Sequence, residues 1–377
     1  MLWIAIRMLT GDAQKFYGLL FGIGFSTLLI TQQLTIFVNL IERGASGVYN
    51  APEAEIWVMD PVSRTTDVKY EMPSTALDEV RSVPGVEWAV PHLRATAAVR
   101  AGNGDLEGVT IIGVDDASLI GLPKEMQRGA KQLLASPDAV LIDDYGAKKM
   151  FKDEDPIGQR LELNDQRAII LGVADAIPTF TSQVTLFTKY SNALNYVPGT
   201  RNRQSFVLAG VIEGADPAEV AERITRQTGW KAQTRDDFAQ AGVDFIIQNT
   251  GIPTNFGITV VLGFVVGVAI VGLTFSLFIR DNIKQFGALK AIGVTNGKII
   301  RMVGVQAGLV GLIGYAIGVL GTIAFLRAFG GNPFFKGFYI PWQVPLISLT
   351  SVIVILAITG WLALRTVMNT EPASVFR

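Results

Sequence analysis

Residues 256–279 read Phe-Gly-Ile-Thr-Val-Val-Leu-Gly-Phe-Val-Val-Gly-Val-Ala-Ile-Val-Gly-Leu-Thr-Phe-Ser-Leu-Phe-Ile, 24 positions without one charged side chain. A bilayer core needs about 20 such residues in a helix, and a soluble core helix of this length would keep a polar face. Working outward, three more stretches read the same way: 16–41 (26 residues), 302–326 (25) and 344–364 (21). The whole 377-residue chain is 49% hydrophobic and 17% charged, with a mean hydropathy of +0.37. Its net charge of −1 hides a division. Residues 42–254 hold 21 Lys/Arg and 30 Asp/Glu, whereas the remainder holds 11 basic and 3 acidic residues. Such a split assigns two parts of the chain to two environments. The fold class expected is an integral membrane α-helical protein with four transmembrane helices and a large α+β periplasmic domain inserted between helices 1 and 2. A cleaved signal peptide is the rival reading of the first stretch. Its apolar run is about twice the usual 7–15 residues, although the small residues Gly44, Ala45 and Ser46 follow it.

Short-loop Lys/Arg sets the orientation. Arg7 and Lys15 precede the first stretch; Arg280, Lys284, Lys290, Lys298 and Arg301 lie between the second and third; Arg365 and Arg377 follow the fourth. The connection between the third and fourth carries only Arg327 and Lys336. Both termini are therefore expected in the cytoplasm of a bacterium, the protein in the inner membrane, and residues 42–254 in the periplasm. The expected segments are an interfacial helix at 1–15, spans at 16–41, 255–280, 302–327 and 343–365, and a periplasmic domain at 42–254. A cytoplasmic helix and connection fill 281–301, a short periplasmic loop 328–342, and a tail 366–377. Single thiols introduced at Lys290 and Asn103 are expected to label from opposite sides, since the chain has no cysteine.

The excursion of about 210 residues is long enough for one or two domains with their own cores. Residues 54–59 are a β-rich run closed by Asp60-Pro61. Thr75 with Asp78 forms a possible capping box for a short helix that Pro84-Gly85 ends. Residues 94–100 and 109–114 flank the turn-rich 101–105, and 161–163 and 167–173 flank Asn164-Asp165, which are two hairpin signals. Residues 138–144 and 206–213 read as strands, 145–151 as a helical turn, and Asp216-Pro217 starts a helix to about Thr228.

The third span carries Gly304, Gly308, Gly311, Gly314, Gly318 and Gly321, which fall within an arc of about 140° at 100° per residue. Gly304/Gly308 and Gly314/Gly318 are small-xxx-small pairs, joined by Gly263/Gly267 in the second span and Gly18/Gly22 in the first. Such faces let backbones approach closely, for intrachain packing or for a sliding or dimer-forming interface. In the first span Thr31, Gln32, Thr35, Asn39 and Glu42 share an arc of about 100°. A polar stripe in a membrane faces protein or water; it reads either as interhelical hydrogen bonding or as the wall of an outer-leaflet cavity or gate.

Residues 280–295, Arg-Asp-Asn-Ile-Lys-Gln-Phe-Gly-Ala-Leu-Lys-Ala-Ile-Gly-Val-Thr, give a short basic amphipathic helix ending near Gly293. It reads as a helix resting on anionic headgroups or as a docking helix for a cytoplasmic partner. This segment resembles the signature loop of the MacB/FtsX-like family of ABC transporter permeases, whose pattern is Glu-Arg, two residues, Glu-Ile-Gly, one residue, Leu-Arg/Lys-Ala-Ile-Gly. Gly287, Leu289, Lys290, Ala291, Ile292 and Gly293 match it; Gln285 replaces the usual Glu, and Arg280-Asp281 replaces Glu-Arg. The glycine-rich third span, the ending Glu371-Pro-Ala-Ser-Val-Phe-Arg377 and the segments 139–143, 155–158 and 169–173 are also similar to the family. The opening, with residues 26–33 and 54–61, looks closest to the DevC-like branch, which is associated with export through a membrane-fusion partner.

The resemblance implies two permeases and two ATPase subunits, with Ile283, Phe286, Gly287, Leu289, Lys290, Ala291, Ile292 and Gly293 contacting the ATPase. It implies a homodimer, a cytoplasmic ATPase partner that carries ATP and Mg, and a periplasmic membrane-fusion protein with an outer-membrane channel. No G-x-x-x-x-G-K-[ST] occurs, so this chain is not expected to cradle nucleotide in the P-loop manner. No cofactor, metal or catalytic residue is expected on it. A second class is an FtsX-like mechanotransmitting scaffold that regulates an envelope hydrolase and transports nothing. A membrane enzyme is disfavoured, because pairs such as Asp115-Asp116, Asp143-Asp144 and Asp236-Asp237 put neighbours on opposite faces of a strand. The lone His92, after Pro91, reads as a surface or packing residue at a strand edge. Nucleic-acid binding is unsupported, because the basic excess is thin and juxtamembrane.

Overall fold

The computed structural model describes residues 2–100, 106–152, 154–181, 183–197, 199 and 203–368. The turn expected at 101–105, the labelling position Asn103, and Glu371–Arg377 of the tail lie outside the described residues. The chain opens with α1 (Leu2–Gly11), α2 (Ala13–Glu42), a 3-10 turn (Arg43–Ala45) and α3 (Ser46–Tyr49). Then come β1 (Ile56–Met59), β2 (Met72–Pro73), α4 (Ala76–Arg81), β3 (Val86–Arg100), β4 (Leu106–Val114), β5 (Met126–Arg128) and β6 (Ala139–Asp143). After α5 (Asp144–Phe151) follow β7 (Arg160–Leu163), β8 (Gln166–Ala174), β9 (Val184–Lys189), α6 (Tyr190–Tyr196), β10 (Arg203–Gln204) and β11 (Phe206–Val211). The rest is helical apart from β12 (Lys231–Thr234): α7 (Pro217–Thr228), α8 (Arg235–Asn249), α9 (Ile252–Asp281), α10 (Ile283–Ala291), α11 (Asn296–Phe329) and α12 (Gln343–Met368).

These elements form two compact units, and the chain passes between them four times. A helical unit comprises Met1–Asn39, Gly251–Gly330 and Phe338–Arg377; a mixed α/β unit comprises Leu40–Thr250 and Gly331–Gly337. The short connection after α11 is thus part of the α/β unit. In the helical unit, four helices are long and apolar enough to cross a membrane. Its core joins Ala5 and Leu9 of α1, Leu19 and Ile23 of α2, Phe275 and Phe278 of α9, Phe286 of α10, and Met302 and Val303 of α11.

In the α/β unit, a sheet runs in the order β12-β1-β11-β3-β4-β9-β6-β8-β5, with β7 bridging β3 and β8. β4–β9 and β6–β8 are parallel; the other pairs of this sheet are antiparallel. The 15-residue β3 is shared by two lobes. Residues 86–92 pair with β11, and 93–100 with β4 and β7. Pro91 has no N–H to donate, and it sits where β3 has a neighbour on one side only. His92 follows at the changeover, buried and edge-on to Trp57 at 5.5 Å. Its role is packing, and burial pulls its pKa down to about 3.

Local signals explain most boundaries. Asp216 caps α7 through Ala218 N–H, Pro217 occupies the first turn, and Gly229 ends the helix with φ +80°. Asn164 and Asp165 both take positive φ, which matches the twist of the β7–β8 hairpin. Thr75 departs from the expected capping box: it is already helical, so its hydroxyl makes no cap bond, and only its carbonyl accepts from Asp78 N–H.

Candidate coupling site

The bend between α9 and α11 is held at both ends. Asn282 ends α9 with its amide donating to Phe278 O at 2.8 Å. Gly293, at φ +90°, closes α10, and Val294 N–H turns back to Leu289 O. Within α10, Phe286 and Gly287 are buried, Ile283, Leu289 and Lys290 are half-buried, and Ala291 is exposed, as are Ile292 and Gly293 of the turn that follows. The amphipathic helix is thus keyed inward by Phe286, 1% exposed, and presents Ile292, 79% exposed.

Two contacts fix neighbouring elements to this bend. Lys15 Nζ bridges Asp12 and Asp281, tying the start of α2 to the end of α9. Gln306 Nε2 donates to Ala5 O at 2.8 Å and seats α1 on α11. Between α1 and the α9–α10 corner lies an open cavity of about 480 Å³ lined by Trp3, Arg7, Asp12, Asp281, Asn282 and Gln285 among others. Trp3 is 74% exposed. The interfacial helix expected at 1–15 carries no sequence signal for this cavity. In the sequence Arg7 reads only as a topology signal, and Asp12 and Asn282 carry no motif.

The small and polar residues of the spans divide by neighbour. A Cβ built on Gly263 would lie 3.4 Å from Leu29 Cβ, and one on Gly267 2.4 Å from Ser26 Oγ, so both pack on α2. Gly314 and Gly318 pack on its other side, against Ile23, Gly24 and Thr27. Gly304 and Gly308 meet nothing within 4 Å. Along the polar stripe, Thr31, Thr35 and Asn39 are buried, Gln32 is half-buried and Glu42 exposed. Asn39 exchanges two hydrogen bonds with the Tyr339 backbone, at 2.7 and 3.1 Å. The hydroxyls of Thr31 and Thr35 are buried without a hydrogen-bond partner.

In the α/β unit, the segments next to the chain crossings interlock. Gly44 and Gly242 of α8 meet so closely that a Cβ on either would lie under 3.0 Å from the other's backbone. The Gly331–Gly337 connection is held by Arg43, which donates to Phe334 O at 2.6 Å and Lys336 O at 3.1 Å. Lys336 Nζ binds Asp144 and Asp175, each at 2.5 Å, and Ala176 O at 3.0 Å. Beside Asp144, Asp143 caps α5: one carboxylate oxygen accepts from Gly146 N–H and Thr185 N–H, and the other is buried without a partner. Burial raises its pKa to about 7. Among the described residues, no group of three or more His, Asp or Glu could hold a metal ion.

The chain belongs to the MacB/FtsX-like family of ABC transporter permeases. The model of the MacB-like periplasmic core domain matches residues 18–227, and that of the FtsX-like permease C-terminal region matches 257–372. With four apolar helices, it is a multi-pass membrane protein with a periplasmic-type domain. Among curated relatives, the macrolide export ATP-binding/permease protein MacB of Agrobacterium fabrum is 23% identical over 93% of this chain and 54% of its own length. The Escherichia coli K12 protein of that name is 23% identical over 64% of this chain and 38% of its own. The chain thus spans about half the length, or less, of these relatives. The extracellular domain of the transporter YknZ from Gram-positive bacteria matches 48% of this chain and 98% of its own, at 20% identity and TM-score 0.35. The periplasmic region of MacB from Actinobacillus actinomycetemcomitans matches 53% and 94%, at 15% identity and TM-score 0.39.

Proposed function

We propose that this chain is the permease subunit of an ATP-driven exporter in a bacterial inner membrane, working as a homodimer with a separate cytoplasmic ATPase that holds ATP and Mg. Both termini and α10 face the cytoplasm, and the α/β unit works in the periplasm beside a membrane-fusion protein and an outer-membrane channel. The cargo is hydrophobic or amphipathic. The observation that carries this reading is α10: Phe286 and Leu289 pack it onto the helical core, and Ile292 stands free at its exposed end.

The chemistry of this chain is mechanical. ATPase closure presses on Ile292 and the turn at Gly293. The buried Phe286 passes the displacement to α9, and the Lys15 bridge to Asp12 and Asp281 passes it to α2. Both helices lead directly into the α/β unit, so no separate transmitting element is required.

The test is co-purification of the ATPase with Ile292→Asp. A charge on the exposed face is expected to reduce capture at least about tenfold, which is 1.4 kcal/mol, while thermal stability is unchanged. Unaltered capture and unaltered transport-linked ATP turnover in that variant would overturn the assignment.

A further inference from the structure

The α11 and α12 helices close on each other at Gly311, where a built Cβ would lie 2.4 Å from Leu356 Cδ1. Toward the α10 end they part. The gap is an open groove of about 500 Å³ whose lining includes Ile300, Gly304, Ala307, Gly360, Trp361 and Arg365. Gly304 and Gly360 leave its walls low, since a Cβ on either meets nothing within 4 Å. From Ile300 to Ala307 it runs about 10 Å along the helix axis at 1.5 Å per residue. It is therefore a mostly apolar slot between two apolar helices, with one cation, Arg365, in its lining.

The electrostatics of that end select the occupant. Lys298 and Arg301 stand on the first turns of α11, exposed like Arg365, and no ion pair joins any of the three to a described residue. The described acidic side chains of the helical unit are Asp12 and Asp281, and both are bonded to Lys15. A second copy of this chain seated here would bring like charges together. An anion with an apolar tail satisfies both halves of the site. Trp361, 63% exposed at the same level, supplies the amphipathic ring favoured at membrane–water interfaces.

We propose that this groove holds one acyl chain of an anionic phospholipid from the leaflet on the α10 side, with its headgroup phosphate bound by Arg365 and drawn in by Arg301 and Lys298. The site seats a lipid against the two helices that flank the coupling end of the permease. The assignment does not depend on what the protein transports.

The experiment is native mass spectrometry of the full-length protein released from nanodiscs of equal phosphatidylglycerol and phosphatidylethanolamine. One retained phosphatidylglycerol per chain is expected, about tenfold over phosphatidylethanolamine. Arg365→Gln is expected to abolish that preference, and Gly304→Leu, whose Cβ has room and whose side chain would occupy the groove, to remove retention of both lipids. Equal retention of the two lipids by the wild type, or full retention by Gly304→Leu, overturns the proposal. Should Gly304→Leu fail to fold, a Gly304→Cys variant carrying a small fluorophore serves instead. Stronger quenching by brominated phosphatidylglycerol than by brominated phosphatidylethanolamine supports the site, and equal quenching refutes it. A disulfide-linked dimer formed by Gly304→Cys names a second copy as the occupant and also refutes it.

Discussion

Asp143 shows how one side chain can couple pH to the fold. Its carboxyl is fully buried, satisfied on one oxygen by two backbone N–H groups and unpartnered on the other, with Asp144 adjacent and Lys336 nearby. Its pKa rises from an ordinary 3.8 to about 7 because burial disfavours the charge. The folded state therefore holds this proton more tightly than the unfolded state. Its contribution to stability is greatest below pH ~4 and declines as pH rises, until the penalty is complete above about 7. Asp143→Asn keeps the acceptor for Gly146 and Thr185 and removes the charge. Its unfolding free energy should lose that slope and exceed the wild type by about 2–4 kcal/mol at pH 8. Urea unfolding followed by tryptophan fluorescence at pH 5 and pH 8 measures the difference; an unchanged slope refutes the assignment. His92 works in the opposite sense. Its lowered pKa leaves stability intact above about 6.5 and erodes it as pH falls toward 3.

At the scale of the element, glycines alike in sequence do different work. Gly314 and Gly318 let α11 lie against α2 with no room for a methyl group: a Cβ on Gly318 would sit 2.5 Å from Thr27 Cβ and 2.8 Å from Gly24 O. Gly304 and Gly308 touch no neighbour. Gly314→Ala and Gly318→Ala should each destabilise by about 1–3 kcal/mol through overpacking. Gly304→Ala and Gly308→Ala should leave stability unchanged or raise it by up to about 1 kcal/mol through helix propensity. Thermal unfolding in detergent distinguishes the pairs, and equal effects would contradict the packing described. The three buried threonines on the same face of α2, Thr27, Thr31 and Thr35, keep hydroxyls without partners. Thr27, which meets Gly318, brings the cost of an unpaired buried hydroxyl into this seam.

Across the whole molecule, the connection after α11 is an outlying piece of the α/β unit, fastened by Lys336 to Asp144 and Asp175. On the proposed mechanism, span movement on either side of it would reach the α/β unit at this fastening as well as through α2 and α8–α9. Lys336→Met leaves Asp144, 2% exposed, without its counter-charge. With Lys336 itself partly solvated, the cost should be about 1–3 kcal/mol. Limited proteolysis should then cut within 331–337 faster than in the wild type. If α10 carries the proposed ATPase contact, ATP turnover should continue in this variant while transport falls. Unchanged proteolysis would show that Arg43 alone retains the connection.

The sequence by itself determined the four apolar helices, the large excursion between the first two, and the helix-and-glycine turn at 283–293. Each of these is a local property: a run without charge, a composition shift, a period of 3.6 residues ended by a glycine. The hairpin at Asn164-Asp165 and the capped start of α7 were legible for the same reason. Tertiary structure alone decided which face of α10 is spent on packing, since Phe286 and Ile292 are equally apolar and only the helical core beside α10 takes one of them inward. It decided which glycines are seams, because a missing side chain carries no information about its neighbour. It also joined Lys336 to Asp144, 192 positions apart, a pairing that depends on long-range chain closure and leaves no periodic trace in the sequence.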